Sequence, residues 1–161
     1  MSSTAIDTVI KMIESLPEPT QDQVVEHLRE YLADLQDEFQ WDVAFKKTQP
    51  QLIAAAQRAK QDIAAGQATG LWPVMKSSVL PSFWTTYRSL DEATKRRARK
   101  AYRLWAQNPF HPSLHFKCIN HEENVWSVRI TLGCRAIGVL EGDTVTWFWV
   151  GGHDEYERFF S

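Results

Sequence analysis

The apolar residues of this chain change their spacing once, and that change limits the folds it can adopt. Through about the first 65 residues they recur every three or four positions, as at Ile6, Val9, Ile10 and Ile13, which is the period of an amphipathic helix. After Leu114 they alternate with polar residues, which is the period of a strand. Helices followed by consecutive strands predict an α+β arrangement.

Three helical stretches are expected in the first half of the chain. Pro17 ends the first, the second carries an apolar stripe from Val24 to Phe39, and the third begins near Thr48 and stops at Gly66. These stretches have apolar faces but little material for a core of their own. We therefore expect them to pack on another part of the protein.

The second half is expected to begin after a linker that runs from Gln67 to Pro73. The chain changes character at Met75, so we divide it into residues 1–74 and 75–161. Two helices are predicted first, over 81–89 and 91–107, and Asp91 caps the second. An antiparallel sheet follows, with the helices on one face and four strands at 114–119, 125–131, 134–141 and 144–150.

Charge separates the two halves. The net charge of −2 combines −5 over residues 1–75 with +3 over residues 76–161. This asymmetry favours two parts that attract each other, or one part that binds a polyanion, and chance stays open because few charges decide the sign.

The location expected from the sequence is the cytoplasm. No apolar run approaches the roughly 20 residues that cross a bilayer, which predicts no membrane association. The N-terminus lacks the basic start and apolar core of a secretory signal. Two cysteines are too few for a disulfide framework and suit a reducing compartment.

One predicted hairpin places two basic residues side by side. Gly133 suits the left-handed position of a three-residue loop, and that loop pairs Arg129 with Arg135 on one face of the sheet. A two-residue loop at Leu132-Gly133 would put the arginines on opposite faces. We prefer the first register because it leaves a more apolar core face.

The next hairpin brings further polar groups toward this pair. If Gly142-Asp143 is a two-residue turn, Arg135 lies opposite Val150, and Trp147 and Trp149 project from a single face. The residues that follow, His153 and Tyr156, would reach the same end of the sheet.

Two adjacent guanidinium groups favour a phosphate ligand, and a nearby imidazole and phenol can move protons. This combination suits RNA cleavage, in which a 2′-hydroxyl attacks its own phosphate and negative charge builds on the phosphorus oxygens. The alternative is structural: strand arginines are often solvated or paired with acids, and Tyr156 can simply pack at the chain end.

The second half resembles a known family of toxins. Val125 to Gly138 looks like the paired strands of RelE/ParE-superfamily toxins, and Trp147 to Tyr156 resembles their closing strand and tail. The similarity covers residues 75–161 in order, including the helix pair and the stretch Asn108 to Leu114. It implies a small α+β toxin, commonly a ribosome-dependent mRNA endonuclease that uses no metal and no cofactor.

The resemblance also suggests roles for individual residues. Arg129 and Arg135 match the basic residues that hold the phosphate, His153 matches a further basic residue, and Tyr156 matches the tail tyrosine. We expect the arginines to bind the scissile phosphate, His153 to act as general acid or base, and Tyr156 to position or assist. Three departures are Ser127, where RelE itself tends to have lysine, His153, where RelE has arginine, and Tyr156. The last lies closer to His153 than the corresponding tyrosine does in RelE.

Further basic residues are candidate RNA contacts, with a solvated surface as the alternative: Lys117, Arg96, Arg97 and Lys100. His115, Cys118 and His121 are discounted as zinc ligands, because strand alternation would place His115 and Cys118 on opposite faces. No metal is therefore expected.

The first half resembles the small helical antitoxins that often precede such toxins, through the stretch Gln40 to Leu52 and the Ala-rich third helix. We therefore expect an N-terminal all-helical segment packed on a RelE-like domain, which it inhibits. The partners expected are mRNA on the ribosome and the antitoxin half itself, while operator DNA and self-association stay open. Two alternatives are a ParE-like inhibitor of DNA gyrase that catalyses nothing and a non-toxic interaction protein. The sequence also leaves open whether the chain joins two neighbouring proteins at Met75.

Overall fold

The computed structural model describes residues 3–71 and 77–160, and the chain divides into two compact units. One unit extends to Gln40 and the other begins at Trp41. Met75 and the predicted boundary at 74/75 lie outside the described residues. The division into an antitoxin-like and a toxin-like half stays a prediction.

The first three helices are α1 (Thr4–Glu14), α2 (Glu18–Lys47) and α3 (Gln49–Ala64). They confirm the helical first half, although α2 continues well beyond the predicted end of its stripe at Phe39. None of the residues of α1 is buried, and the unit up to Gln40 exposes large apolar side chains of α1 and α2. Gly66 ends the third helical stretch in the left-handed region, at φ 79°, as expected of a glycine that follows a helix.

The second unit holds the sheet and three more helices. The helices are α4 (Pro81–Tyr87), α5 (Glu92–Gln107) and α6 (His153–Phe160), and Asp91 caps α5 by accepting a hydrogen bond from the Thr94 amide. The strands are β1 (Thr69–Leu71), β2 (Ser77–Val79), β3 (Lys117–Asn120), β4 (Val125–Thr131), β5 (Cys134–Glu141) and β6 (Thr144–Gly152).

The strands form one six-stranded sheet in the order β1-β2-β6-β5-β4-β3. The α+β prediction is confirmed, but the prediction of a four-stranded antiparallel sheet was wrong. Two strands were not predicted from the sequence: β1, which lies within the predicted linker, and β2, which pairs parallel with β6. Both strands have three residues, too few to show the alternation from which strands are predicted.

Each face of the sheet is covered, so the second unit has two apolar layers. On one face, α4 and α5 cover Val128, Ala136 and Trp147. On the other, the end of α2 together with α3 and α6 covers Val125, Ile137 and Val139. No helix among the described residues is long and apolar enough to cross a membrane.

Candidate active site

Arg129 and Arg135 stand directly opposite each other on β4 and β5, as the sequence predicted. The loop between them differs from the prediction. Thr131 pairs with Cys134 around a two-residue turn, and a register shift between Arg129 and Thr131 leaves Ile130 unpaired. This extra residue keeps the two arginines on one face even though the turn is short.

The face that carries this pair is called the arginine face below; it consists of Val125, Ser127, Arg129, Arg135, Ile137 and Val139. Arg135 is only 1% exposed, and its guanidinium donates hydrogen bonds to the backbone oxygens of Thr131 and Cys134. Arg129 is half-buried, and its Nη1 lies 3.3 Å from Nε2 of His115. Because a guanidinium only donates, the imidazole of His115 accepts this hydrogen bond.

A bulge in β6 changes what lies beside Arg135. The two-residue turn at Gly142-Asp143 is confirmed, but Arg135 pairs with Gly151 and not with Val150. The register shifts between Ile137 and Gly138, so that Trp147 lies opposite Gly138 and Trp149 lies opposite Ile137. A side chain at Gly138 would meet the Thr146 carbonyl oxygen at 2.8 Å, which explains why glycine is needed for this close approach.

The same bulge corrects the prediction for the tryptophans. Trp147 packs with Trp105 under α5, whereas Trp149 packs with Tyr156 on the arginine face. They therefore project from opposite faces, because the extra residue in β6 interrupts the alternation between them. The sequence alone showed a regular strand.

His153 and Tyr156 reach the arginine face from α6, a helix that the sequence analysis did not predict. The ring of His153 lies 4.0 Å from that of Trp41, and the two rings are stacked with an interplanar angle of 29°. Arg135 also contacts this ring: its guanidinium carbon lies 5.4 Å from the centre of the Trp41 ring. Trp41, from α2, thus joins Arg135 and His153 into one cluster.

Tyr156 is fully buried against the same tryptophan. Its ring meets those of Trp41 and Phe45 edge-on, each at 5.5 Å, and its hydroxyl lies 2.6 Å from Oγ1 of Thr48. Burial raises the pKa of the Tyr156 phenol well above its usual range. In this arrangement the phenol keeps its proton and has no contact with solvent.

Polar contacts fix α3 to the sheet beside this cluster. Gln49 donates to the Ile119 carbonyl oxygen at 2.9 Å, and Asn120 donates to the Gln49 side-chain oxygen at 2.7 Å. Lys60 pairs with Glu123 at 2.8 Å, and this hydrogen bond is the main cause that lowers the pKa of Glu123. The helices from Trp41 onward therefore cover the arginine face with specific contacts as well as apolar ones.

The structure separates the other predicted RNA contacts. Lys117 lies opposite Ser127 at the edge of the arginine face, where it pairs with Asp42 of α2 at 2.6 Å. Arg96, Arg97 and Lys100 are exposed on α5, which packs against the opposite face of the sheet. These three residues therefore do not lie beside Arg129 and Arg135. An apolar cavity of about 440 Å³ lies between α4, α5 and that opposite face.

His115 and Cys118 were discounted as zinc ligands on the expectation that both lie in one strand. Within residues 3–71 and 77–160, no three His, Cys, Asp or Glu side chains come together as a metal site. His115 follows a short 3-10 helix in the left-handed region and not in the predicted strand, which begins only at Lys117. Cys118 donates to the carbonyl oxygen of Asn120.

Two residues of the site were missed by the sequence analysis. His115 was considered only as a metal ligand. Its contact with Arg129 depends on a left-handed backbone conformation that no sequence pattern predicted. Trp41 belongs to the stretch that resembles antitoxins. Its large aromatic side chain, just beyond the predicted end of the apolar stripe at Phe39, was the one available signal of a buried anchor.

Residues 92–158 match the family model of the ParE-like toxin domain. Among solved structures, the chain is similar to the RelB–RelE antitoxin–toxin complex from Methanococcus jannaschii, at 16% identity over 52% of this chain and 98% of that chain, with a TM-score of 0.44. It is also similar to the RelE–RelB complex from Pyrococcus horikoshii OT3, at 10% identity over 50% and 96% of the two chains, with a TM-score of 0.42.

A further similar structure is a YoeB/ParE toxin from Agrobacterium tumefaciens, at 20% identity over 49% of this chain and 99% of that chain, with a TM-score of 0.40. No curated protein matches the sequence. The match to the family model spans β4, β5, β6 and most of α6. It therefore includes Arg129, Arg135, His153 and Tyr156 but not Trp41. Residues 92–158 of this chain are therefore similar to the ParE-like toxin domain.

Proposed function

We propose that the toxin domain is a ribosome-dependent mRNA endonuclease and that the helices between Trp41 and Ala64 hold it inactive. The observation that supports this proposal most directly is the position of Trp41. It lies against both Arg135 and His153, which are the residues to which we assign phosphate binding and proton transfer. An RNA phosphate cannot reach that space while the indole fills it.

The chemistry follows from the groups on the arginine face once it is uncovered. Arg129 and Arg135 would bind the scissile phosphate and stabilise the charge that builds on its oxygens when the 2′-hydroxyl attacks. The imidazole of His153 would take or return the proton as general base or acid. Tyr156 would gain access to solvent and RNA when Trp41, Phe45 and Thr48 leave, and it would position the substrate.

The same proposal assigns the first half of the chain its role. Antitoxins neutralise their toxins by binding them, and here residues from 41 to 64 already pack on the toxin domain within one chain. Both parts would work in the cytoplasm, where ribosomes and mRNA are available. Lys117 would contact RNA after its ion pair with Asp42 opens, whereas Arg96, Arg97 and Lys100 would contact ribosomal RNA from the other side of the domain.

The decisive experiment is cell-free translation with the full chain or with residues 75–161, followed by mapping of mRNA 5′ ends by primer extension. Cuts that require ribosomes and appear only with the short form are expected. Adding residues 1–74 as a separate chain should suppress them. Intact mRNA with the short form, shown to be folded by circular dichroism, would exclude the nuclease.

Arg135→Ala in residues 75–161 tests the assigned residue. It should abolish growth arrest, because the paired guanidinium that binds the phosphate is lost. Arg103→Ala is the matched control, since it removes an exposed arginine of α5 to which no RNA contact is assigned and should leave growth arrest in place. If the Arg135 variant is folded and still toxic, the assigned site is wrong.

A second candidate function is supported by the description of the family model, which is that of a ParE-like toxin domain. In this alternative the domain binds DNA gyrase and catalyses nothing. Double-strand DNA breaks and an SOS response, with mRNA intact, would distinguish it from the nuclease.

A further inference from the structure

The indole of Trp41 is held in a way that suits a nucleobase. It is completely buried, with the His153 ring stacked at 4.0 Å on it and the Arg135 guanidinium at 5.4 Å from its centre. Tyr156 closes a third side with its ring edge at 5.5 Å. Stacking on an aromatic ring and a cation near the ring face are the two interactions by which proteins bind bases of single-stranded nucleic acid.

The shape and polarity of the indole also resemble those of a nucleobase. Indole and purine are both flat, fused bicyclic rings that present a π-face to their neighbours. The Nε1 group of Trp41 has no hydrogen-bond partner in the described part of the chain, so the side chain is held by its ring faces and edges alone. A site that binds a flat ring without reading its polar edge tolerates other flat rings of similar size.

We propose that Trp41 occupies a nucleobase subsite, in which a base of the RNA substrate, a purine in preference, stacks on His153 beside the phosphate held by Arg135. This inference rests on the proposed function, because it names a part of the substrate of the same site. It makes α2 a direct competitor of RNA: the segment fills the subsite with a base-like ring and does not act by distorting the toxin domain.

The test uses the full chain with Trp41→Ala, which leaves a space where the indole was. The ligands are adenosine 5′-monophosphate and, as its match without a base, ribose 5-phosphate. We expect the variant to bind adenosine monophosphate at least about ten times more tightly than ribose phosphate, as measured by calorimetry, because stacking on His153 adds to the phosphate contact. The wild-type chain should bind neither tightly, since its own indole fills the space.

Trp105→Ala is the control variant, because Trp105 is another fully buried tryptophan of the same unit, 1% exposed, on the opposite face of the sheet. Free indole should raise the melting temperature of both variants, whereas adenosine monophosphate should raise only that of Trp41→Ala.

If Trp41→Ala does not fold alone, the same ligands are titrated for their power to restore its circular dichroism, since a ligand that binds the folded state drives folding. Adding His153→Ala should remove most of the preference for the base.

Equal affinity of the Trp41→Ala chain for adenosine monophosphate and ribose phosphate would overturn the subsite. So would equal stabilisation of the two tryptophan variants by adenosine monophosphate. These outcomes are separate from those of the nuclease test. Base-dependent binding without mRNA cleavage keeps the subsite and excludes the nuclease. Cleavage by residues 75–161 without base-dependent binding keeps the nuclease and excludes the subsite.

Discussion

Tyr156 shows how one residue can belong both to a core and to a candidate site. Its ring is packed among Trp41, Phe45 and Trp149, while its hydroxyl bonds with Thr48, which in turn donates to the Ala44 carbonyl oxygen. Such a phenol is ionised only at the cost of leaving a charge without solvent. Its protonation is therefore coupled to the closed arrangement of the helices over the arginine face.

We predict that this coupling makes the protein less stable in alkali. A free tyrosine ionises near pH 10, so above roughly that pH the unfolded chain loses a proton that folded Tyr156 retains. The stabilising effect is thus complete below about pH 10 and is lost as the pH rises toward the raised pKa of the folded state.

Tyr156→Phe should weaken that alkaline decline and cost about 0.5–1.5 kcal/mol at pH 8, because the hydrogen bond to Thr48 is lost. The free energy of unfolding in urea, measured for both chains at pH 8 and near pH 11, checks this. The gap between wild type and variant should shrink at the higher pH. An unchanged gap would show that the phenol titrates as freely in the folded state as in the unfolded one.

At the scale of helices and strands, the sequence predicted types of element better than their register. Hydrophobic spacing identified α3, α5, β4, β5 and β6, because each is long enough to show its period. The pairing of Arg129 with Arg135 was predicted correctly, but the three-residue loop from which it was predicted is a two-residue turn preceded by a bulge. The bulge in β6 was not, because an extra residue in one strand depends on how closely two strands approach, and only Gly138 hinted at that approach.

Gly138→Ala should therefore destabilise the protein by roughly 1–3 kcal/mol, because the new methyl group would press on the backbone of β6 and shift Trp147. Gly70→Ala is the control: a methyl group added there would meet no atom within 4 Å, so a change within about 0.5 kcal/mol is expected. Urea unfolding followed by tryptophan fluorescence measures both. Equal stability of the two variants would mean that β5 and β6 can separate without cost.

The contact of α3 with the sheet should depend on buried hydrogen bonds more than on ion pairs. Asn120 is 6% exposed, donates to Gln49 and accepts from the Glu123 amide, so Asn120→Ala leaves buried groups unsatisfied and should cost about 1–3 kcal/mol. The pair of Asp42 with Lys117 is exposed, and Asp42→Ala should cost less than about 1 kcal/mol. Denaturation in low and high salt separates the two, because only the Asp42 variant should approach wild type as salt rises.

For the whole molecule, charge pattern and apolar spacing together predicted an acidic helical part and a basic part with a sheet. They did not locate where one compact unit ends and the next begins. The boundary along the chain falls between Gln40 and Trp41, inside the span of α2. No proline or glycine marks that position in the sequence. The reason is that α2 continues as a helix while its C-terminal end joins the core over the arginine face.

This division leads to a prediction about which part of the first half inhibits. Both apolar layers of the second unit are built from residues at or after Trp41. In the sequence, all seven tryptophans stand at or after position 41. A chain of residues 41–161 should therefore fold, unfold cooperatively and keep the fluorescence spectrum of the full chain. Expressed in cells it should be harmless, because Trp41 still lies against Arg135 and His153, whereas residues 75–161 should arrest growth. Growth arrest by a folded 41–161 chain would show instead that residues before Trp41 are needed to keep the toxin domain inactive.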